Sequence, residues 1–145
     1  MNQELEIKLH SKYPTLITNG INVGDGWYNI LDILFKSFIS YLKELEQNSV
    51  GTPSIQIWDI KEKFGGLRIY YTTSSEEPTL EIVIYRLVSM AEQLSMRTCE
   101  DCGKPGEIIN QNGWYRTQCN EHKMAKALDA PPEFLNQPLD IDNGN

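Results

Sequence analysis

The sequence predicts an α+β fold with a small zinc module, and three observations support this prediction. Two segments, 27–46 and 78–97, repeat apolar residues at helical spacing. Between them, 54–60 and 67–73 are rich in the β-branched and aromatic residues that favour strands. All three cysteines and one of the two histidines fall within 98–123. We therefore expect two amphipathic helices beside an antiparallel β-hairpin, plus a treble-clef-like zinc module.

The composition is that of one globular domain in a reducing compartment. The chain has 145 residues, and 40% of them are apolar, which is enough to bury a core. No run approaches the ~20 apolar residues that cross a bilayer. The N-terminus, MNQELEIKLH, has no basic segment followed by an apolar one. We expect a cytoplasmic protein without membrane association, and the net charge of −7 argues against generic binding to DNA.

The first elements follow from apolar spacing. Residues 2–12 suit either a short helix or a strand, and the Tyr-Pro pair at 13–14 ends whichever forms. Residues 18–26 predict a loop, in which Asp25 is expected to cap a long helix that runs to about residue 46. The predicted apolar stripe of that helix is Trp27, Ile30, Leu31, Leu34, Phe38, Tyr41, Leu42 and Leu45.

The predicted hairpin joins SIQIWDI (54–60) to LRIYYTT (67–73) through KEKFGG, whose two glycines permit a tight turn or a bulge. Strand alternation places Arg68 and Tyr70 on one face and the residues on either side of them toward the helices. Ser74 with Glu77 fits a capping box before the helix at 78–97. The predicted apolar stripe of that helix is Leu80, Val83, Ile84, Leu87, Ala91 and Leu94.

The cysteine-rich segment carries a zinc pattern. Cys99 and Cys102 are spaced C-x2-C, and Cys119 and His122 are spaced C-x2-H. Zinc takes thiolate and imidazole ligands at four tetrahedral corners, and a two-residue gap lets one tight turn aim both side chains at the ion. An Asn-Gly turn at 112–113 predicts a hairpin between the pairs, and a helix-forming run follows the second pair. A tight turn with the first ligand pair (a knuckle), then a hairpin, then a helix that begins at the second pair is an order typical of a treble clef.

Four protein ligands predict a closed, structural Zn²⁺ site, because a catalytic zinc keeps one position open. The hairpin carries no histidine that could act as the general base of a treble-clef nuclease. The predicted organisation is an α+β domain at 1–97, a zinc module at 98–130 packed on it, and a disordered acidic tail at 131–145.

Six residues are candidate ligand or partner contacts: Lys61, Lys63, Arg68, Tyr70, Trp114 and Arg116. On the KEKFGG hairpin, bases, glycine amides and aromatic rings could hold an anion or stack on a base. The alternative is a hairpin with solvated lysines whose other residues pack on the helices. On the zinc hairpin, the Trp-Tyr-Arg run at 114–116 could contact nucleic acid or a partner, or could cover the zinc core.

GDGW (24–27), KEKFGGLRIYY (61–71), CEDCGKPG (99–106) and GWYRTQCNEH (113–122) occur in this order along most of the chain. In these motifs the chain resembles a family of small uncharacterised proteins of bacteria and their phages. The resemblance implies one integrated fold and a phage or prophage setting, hence the cytoplasm of a host cell. It supplies no catalytic residues.

Three functions are therefore considered. The first is a non-enzymatic, phage-type accessory protein, stabilised by zinc, that binds a host or phage protein or another macromolecule. The second is a small-ligand binder that sequesters a nucleotide signal of host immunity. The third is an enzyme that acts on nucleic acid. Convergence of Lys61, Lys63 and Arg68 on one pocket would favour the second.

Overall fold

In a computed structural model, the described residues are 1–48, 52–74 and 78–123. The elements in chain order are α1 (Gln3–Lys12), β1 (Ile21–Asn22), a 3-10 turn (Asp25–Trp27), α2 (Tyr28–Asn48), β2 (Ser54–Lys63), β3 (Gly66–Ser74), α3 (Thr79–Ser95), β4 (Glu107–Gln111) and β5 (Trp114–Gln118). The predicted tail at 131–145, the last residues of the predicted zinc module and Glu77 of the expected capping box lie outside the described residues. None of the described helices is long and apolar enough to cross a bilayer.

The predicted antiparallel hairpin is confirmed as β2–β3, and it forms the larger part of a sheet with the order β1-β2-β3. Its two-residue turn is Phe64-Gly65, and both residues have positive φ, 54° and 78°. Such a turn matches the natural twist of a hairpin. The 18–26 segment is not all loop, because Ile21 and Asn22 pair in parallel with Ile60 and Lys61 as the short strand β1.

A β-bulge in β2 changes which of its residues face the core. The register moves from Ile57 opposite Tyr71 to Asp59 opposite Tyr70, so Trp58 is an extra residue. Ile57 before the bulge and Ile60 after it are both buried, although three positions separate them. Strict alternation would have turned one of them to solvent. The bulge therefore keeps an unbroken apolar face toward the helices and turns Trp58 outward.

The core lies between this sheet and the helices α2 and α3, with Trp27, Phe35 and Phe38 fully buried. The predicted stripe of α2 agrees with this packing, and Phe35 is a further member that the pattern missed. On α3 the predicted stripe misses Val88, which is buried, and it is wrong at Leu94, which is 48% exposed, whereas Ser95 is buried. The Ser95 hydroxyl donates to the Glu92 carbonyl and accepts from the Leu67 amide, which satisfies both groups inside the core.

The N-terminal segment is a helix rather than a strand, and it is joined to the loop before α2. Asn2 caps α1 by accepting from the Leu5 amide. Asp25 was expected to cap the long helix, but its carboxylate accepts instead from the backbone and side-chain nitrogens of Asn2, at 2.6 and 2.7 Å. The 3-10 turn leads directly into α2 and takes the place of the expected cap.

Candidate metal centre

The three cysteines and His122 form one compact cluster. Their ligand atoms all lie within 4.8 Å of one another. The Sγ atoms of Cys102 and Cys119 are 3.7 Å apart, and Cys99 Sγ is 3.5 Å from His122 Nδ1. A tetrahedral zinc with bonds of about 2.3 Å to sulfur and 2.0 Å to nitrogen requires separations of roughly 3.8 and 3.5 Å. These two separations are close to the required values, so the four residues are compatible with one metal ion, toward which His122 presents Nδ1.

The first ligand pair lies on a tight turn. The Gly103 amide donates to the Cys99 carbonyl at 2.9 Å, and the Cys99 amide donates to the Lys104 carbonyl at 2.8 Å. Gly103 has φ +77°, a conformation that residues with a side chain rarely adopt. This turn aims both thiols at the same point, as the C-x2-C spacing predicted.

The second ligand pair follows β5 at the start of a helical turn. Residues 120–123 are helical, and the Lys123 amide donates to the Cys119 carbonyl at 3.0 Å. The backbone N–H of His122 points at the Cys119 thiol and is the main cause that lowers its pKa to about 6. At Cys102 the Lys104 backbone N–H acts to lower the pKa, but burial and the neighbouring thiols raise it overall. The second ligand pair, Cys119 with His122, is thus arranged to favour the thiolate form of Cys119.

The GDGW motif (24–27) supports the tight turn that carries Cys99 and Cys102, a role that the sequence did not reveal. We call this turn (98–103) the knuckle and the residues 24–27 beneath it the seat. A Cβ on Gly26 would lie 2.7 Å from the Cys102 amide nitrogen, so no side chain fits there. The Gly26 amide donates to the Glu100 carbonyl at 2.7 Å. The buried Trp27 donates from Nε1 to the Thr98 carbonyl at 2.8 Å. The knuckle backbone therefore lies directly on residues 24–27, and their two glycines make this approach possible.

The tip of the β2–β3 hairpin rests on the zinc hairpin β4–β5. Thr117 Oγ1 donates to the Gly65 carbonyl at 2.6 Å in a buried hydrogen bond. The Glu62 carboxylate accepts from the Gly65 amide at 2.5 Å and closes the turn. The Phe64 ring meets the Tyr115 ring edge-on, with centroids 6.4 Å apart. The tip of β2–β3 is therefore fixed to the zinc hairpin by a hydrogen bond and by a ring contact.

A partly buried charge network connects the seat to the zinc hairpin. Glu100 is 6% exposed, and its Oε1 accepts from the Gly24 amide at 3.0 Å. The Arg116 guanidinium lies 3.6 Å from the Glu100 carboxylate and 3.5 Å from the Asp101 carboxylate. Burial raises the pKa of Glu100, although Arg116 and the Gly24 N–H act in the opposite direction. Arg116, a predicted partner contact, therefore has a structural role as well.

The predicted basic cluster on β2–β3 is divided among separate partners. The Lys61 ammonium bonds the Asp59 carboxylate at 2.5 Å and lies 4.6 Å from the Tyr70 ring centroid. The Lys63 ammonium lies over the Phe64 ring at 5.4 Å. Arg68 turns toward α3, where it is 3.8 Å from the Glu92 carboxylate.

The predicted orientation of β3 is confirmed, but the expectation that Arg68 and Tyr70 are free for a partner is not. Arg68 and Tyr70 do share the outer face, and Leu67 and Ile69 point inward, as predicted. Arg68, however, is not free for a partner, because α3 lies against the edge of β3 within its reach. Tyr70 packs on Trp58 with ring centroids 5.1 Å apart. The structure brings Lys61 and Tyr70 together but gives Arg68 a different neighbour.

Three aromatic rings remain exposed where the two hairpins meet, toward the turn of β4–β5: Phe64 at 66%, Trp114 at 78% and Tyr115 at 42%. We call these three residues the aromatic patch. The alternative in which Trp114 covers the zinc core is wrong, because most of its surface is in solvent. Phe64 and Tyr115 come from different hairpins, so the patch exists only once the two hairpins have docked.

A scan against protein-family models, a search of curated proteins and a search of solved structures find no match to this chain.

Proposed function

We propose that this protein is a zinc-stabilised, non-catalytic binding protein whose partner is another macromolecule, most simply a protein. The observation that carries the proposal is the aromatic patch on docked hairpins. In the phage or prophage setting that the family resemblance implies, the partner is a host or phage protein.

The metal in this proposal is a structural Zn²⁺ held by all four cluster residues. Three thiolates and one imidazole suit zinc, and a set of four leaves no position for water or substrate. Neither histidine of the chain is available as a general base beside the metal. His122 belongs to the cluster, and His10 lies on α1, 3.8 Å from Glu6. The function of the metal is then to hold the knuckle, the seat and the zinc hairpin together, as in a treble clef.

The aromatic patch has the properties of a binding surface rather than of a structural element. Exposed aromatic side chains that lie together commonly mark interaction sites, and aromatic residues dominate the binding energy of many interfaces. Phe64 is the strongest evidence for a binding role. Its backbone has φ 54°, a conformation that is energetically unfavourable for a bulky residue, and its ring is nevertheless left in solvent. Neither conformational preference nor burial accounts for phenylalanine here, whereas contact with a partner does.

A small nucleotide fits this structure less well. Such a ligand needs cationic groups that converge on its phosphates, and the three bases considered for that role have separate partners. Lys61 over Tyr70 is the remaining pair that could hold a base and a phosphate. A nucleotide-dependent change in melting temperature that is lost in Lys61→Ala and kept in Trp114→Ala would favour this second function over the first.

The proposal is tested by quantitative capture of partners from the native cell with wild-type and variant proteins. Trp114→Ala and Phe64→Ala remove exposed rings and should change the free energy of unfolding by about 0.5 kcal/mol or less. We expect each to reduce the captured amount of a specific partner at least about tenfold, since interface aromatics are frequent hot spots. Trp58→Ala is the matched control, because Trp58 is an exposed tryptophan on the outer face of β2.

Metal content is measured on the same samples, with about one zinc per chain expected from one tetrahedral site. The proposal is wrong if both patch variants retain every partner of the wild type, or if capture is equally sensitive to Trp58→Ala.

A further inference from the structure

Beside the aromatic patch the structure has a cleft of about 450 Å³. Its walls come from the β2–β3 hairpin, the knuckle and the zinc hairpin, so it forms where all three meet. The lining residues are Glu62, Glu100, Gln111, Trp114, Tyr115 and Arg116.

The charges in the cleft favour a cation. Glu62 and Glu100 contribute two carboxylates, and Arg116 is the one cationic group of the lining. The guanidinium already lies between the carboxylates of Glu100 and Asp101, at 3.6 and 3.5 Å, so its charge is offset within the protein. An anion entering the cleft would meet uncompensated carboxylate charge, whereas a cation would be attracted. The chain as a whole carries a net charge of −7, which acts in the same direction.

The aromatic lining favours a cation on an organic side chain. Trp114 and Tyr115 offer ring surface beside the carboxylates, and tryptophan is the strongest aromatic partner for ammonium and guanidinium groups. The chain provides an internal example of this contact, since the Lys63 ammonium lies over the exposed Phe64 ring at 5.4 Å. Aromatic rings that contact the aliphatic part of a side chain, together with carboxylates that pair with its charged end, would bind lysine or arginine.

We propose that this cleft binds an arginine or lysine side chain that the protein partner presents beside the aromatic patch. This inference rests on the proposed function and specifies the chemistry of the partner: a basic segment of a protein. The aromatic patch contacts the apolar surface around the basic residue, and Glu62 pairs with its charge, while the buried Glu100, already paired with Arg116, adds to the negative potential of the cleft. Glu62 is suited to this role because one carboxylate oxygen holds the Gly65 amide at 2.5 Å, which fixes the orientation of the group.

The test uses blocked pentapeptides with a central Arg, Lys or Glu between Gly and Ser residues, titrated into the zinc-loaded full chain. The readout is the indole N–H resonance of each tryptophan. We expect the Trp114 resonance to shift in a saturable way with the Arg and Lys peptides, with a dissociation constant on the order of millimolar for one side chain. Trp27, which is buried, and Trp58, on the outer face of β2, serve as internal references that should not move. The Glu peptide should cause no saturable shift.

Glu62→Gln provides the charge test, because glutamine keeps an oxygen for the Gly65 amide and loses only the negative charge. We expect it to weaken binding of the Arg peptide at least about threefold, and added salt should weaken wild-type binding in the same direction. Glu107→Gln is the matched control, since Glu107 lies at the opposite end of the zinc hairpin from Trp114 and should leave the affinity unchanged.

The inference is overturned if the Arg and Lys peptides give no saturable shift of Trp114 up to about 20 mM, if the Glu peptide binds equally well, or if Glu107→Gln matches Glu62→Gln. Such a result leaves the proposed function intact when Trp114→Ala and Phe64→Ala still lose the captured partner. Peptide binding without any effect of those variants on capture would instead contradict the proposed function.

Discussion

Gly26→Ala tests whether the metal centre depends on a seat that lies far from it in sequence. The new methyl group would lie 2.7 Å from the Cys102 amide nitrogen, whereas ordinary contacts begin at 3.4 Å. It would overlap the Cys99 carbonyl oxygen and the Gly103 amide nitrogen even more closely. The knuckle would therefore have to move by more than this difference, because its backbone cannot rotate away as a side chain can. That movement stretches the hydrogen bonds from Gly26 to Glu100 and from Trp27 to Thr98.

We expect Gly26→Ala to lower the free energy of unfolding by about 3–5 kcal/mol. Overpacking contributes about 1–3 kcal/mol, and the two weakened hydrogen bonds contribute about 1 kcal/mol each. Urea denaturation of the zinc-loaded protein measures this loss, and competition with a chromogenic chelator should show weaker zinc binding. Gly20→Ala is the matched control, since its methyl group would meet only a Glu6 carboxylate oxygen at 3.3 Å. If Gly26→Ala is as stable as Gly20→Ala and binds zinc as tightly as the wild type, the knuckle does not depend on this seat.

Three further predictions concern the ligands, the sheet and an ion pair. Cys102→Ser should lower zinc content well below one per chain and destabilise the fold, which elemental analysis and thermal melts measure, because metal binding contributes directly to folding. Ile69→Ala should cost about 2–5 kcal/mol and Arg68→Ala about 1 kcal/mol or less; the reverse order in thermal melts would mean that the orientation of β3 is wrong. Burial acts to raise the pKa of Asp32, but hydrogen bonds, above all from Lys12, outweigh it and hold this pKa below 3.8. The stabilisation by the Asp32 carboxylate is then complete above its unfolded pKa and disappears as the pH falls through the lower folded value. Asp32→Asn should therefore cost about 1 kcal/mol at neutral pH, and its urea midpoint should approach that of the wild type only below about pH 4.

Local sequence patterns predicted the features that depend on interactions between residues close together in the chain. The C-x2-C and C-x2-H spacings identified a cluster whose ligand atoms converge, because each pair needs only one tight turn. The β-hairpin followed from β-branched residues around glycines, and the inward face of Leu67 and Ile69 followed from strand alternation. The burial of Ser95 in place of Leu94 could not be predicted in this way, because it depends on which β3 amide lies opposite the helix.

The features that the sequence did not reveal are contacts between distant segments. GDGW reads as a loop with a helix cap, since nothing in residues 24–27 indicates that the knuckle at 98–103 will lie on them. Local pattern predicts Asp25 as the cap of the nearest helix, although its actual partner is Asn2, at the start of a different helix. The bulge at Trp58 is likewise set by the core face of the whole sheet rather than by the strand itself.

The seat also determines how this protein would respond to a shortage of metal. Backbone and indole donors of residues 24–27 take their acceptors from residues 98–100, so losing the knuckle leaves polar groups unpaired inside the first half of the chain. Loss of zinc would then lower the stability of the helical core as well as that of the hairpin beside the ligands. Under the proposed zinc binding, the protein in a cell depleted of zinc would become a substrate for proteases, and its abundance would follow the supply of the metal.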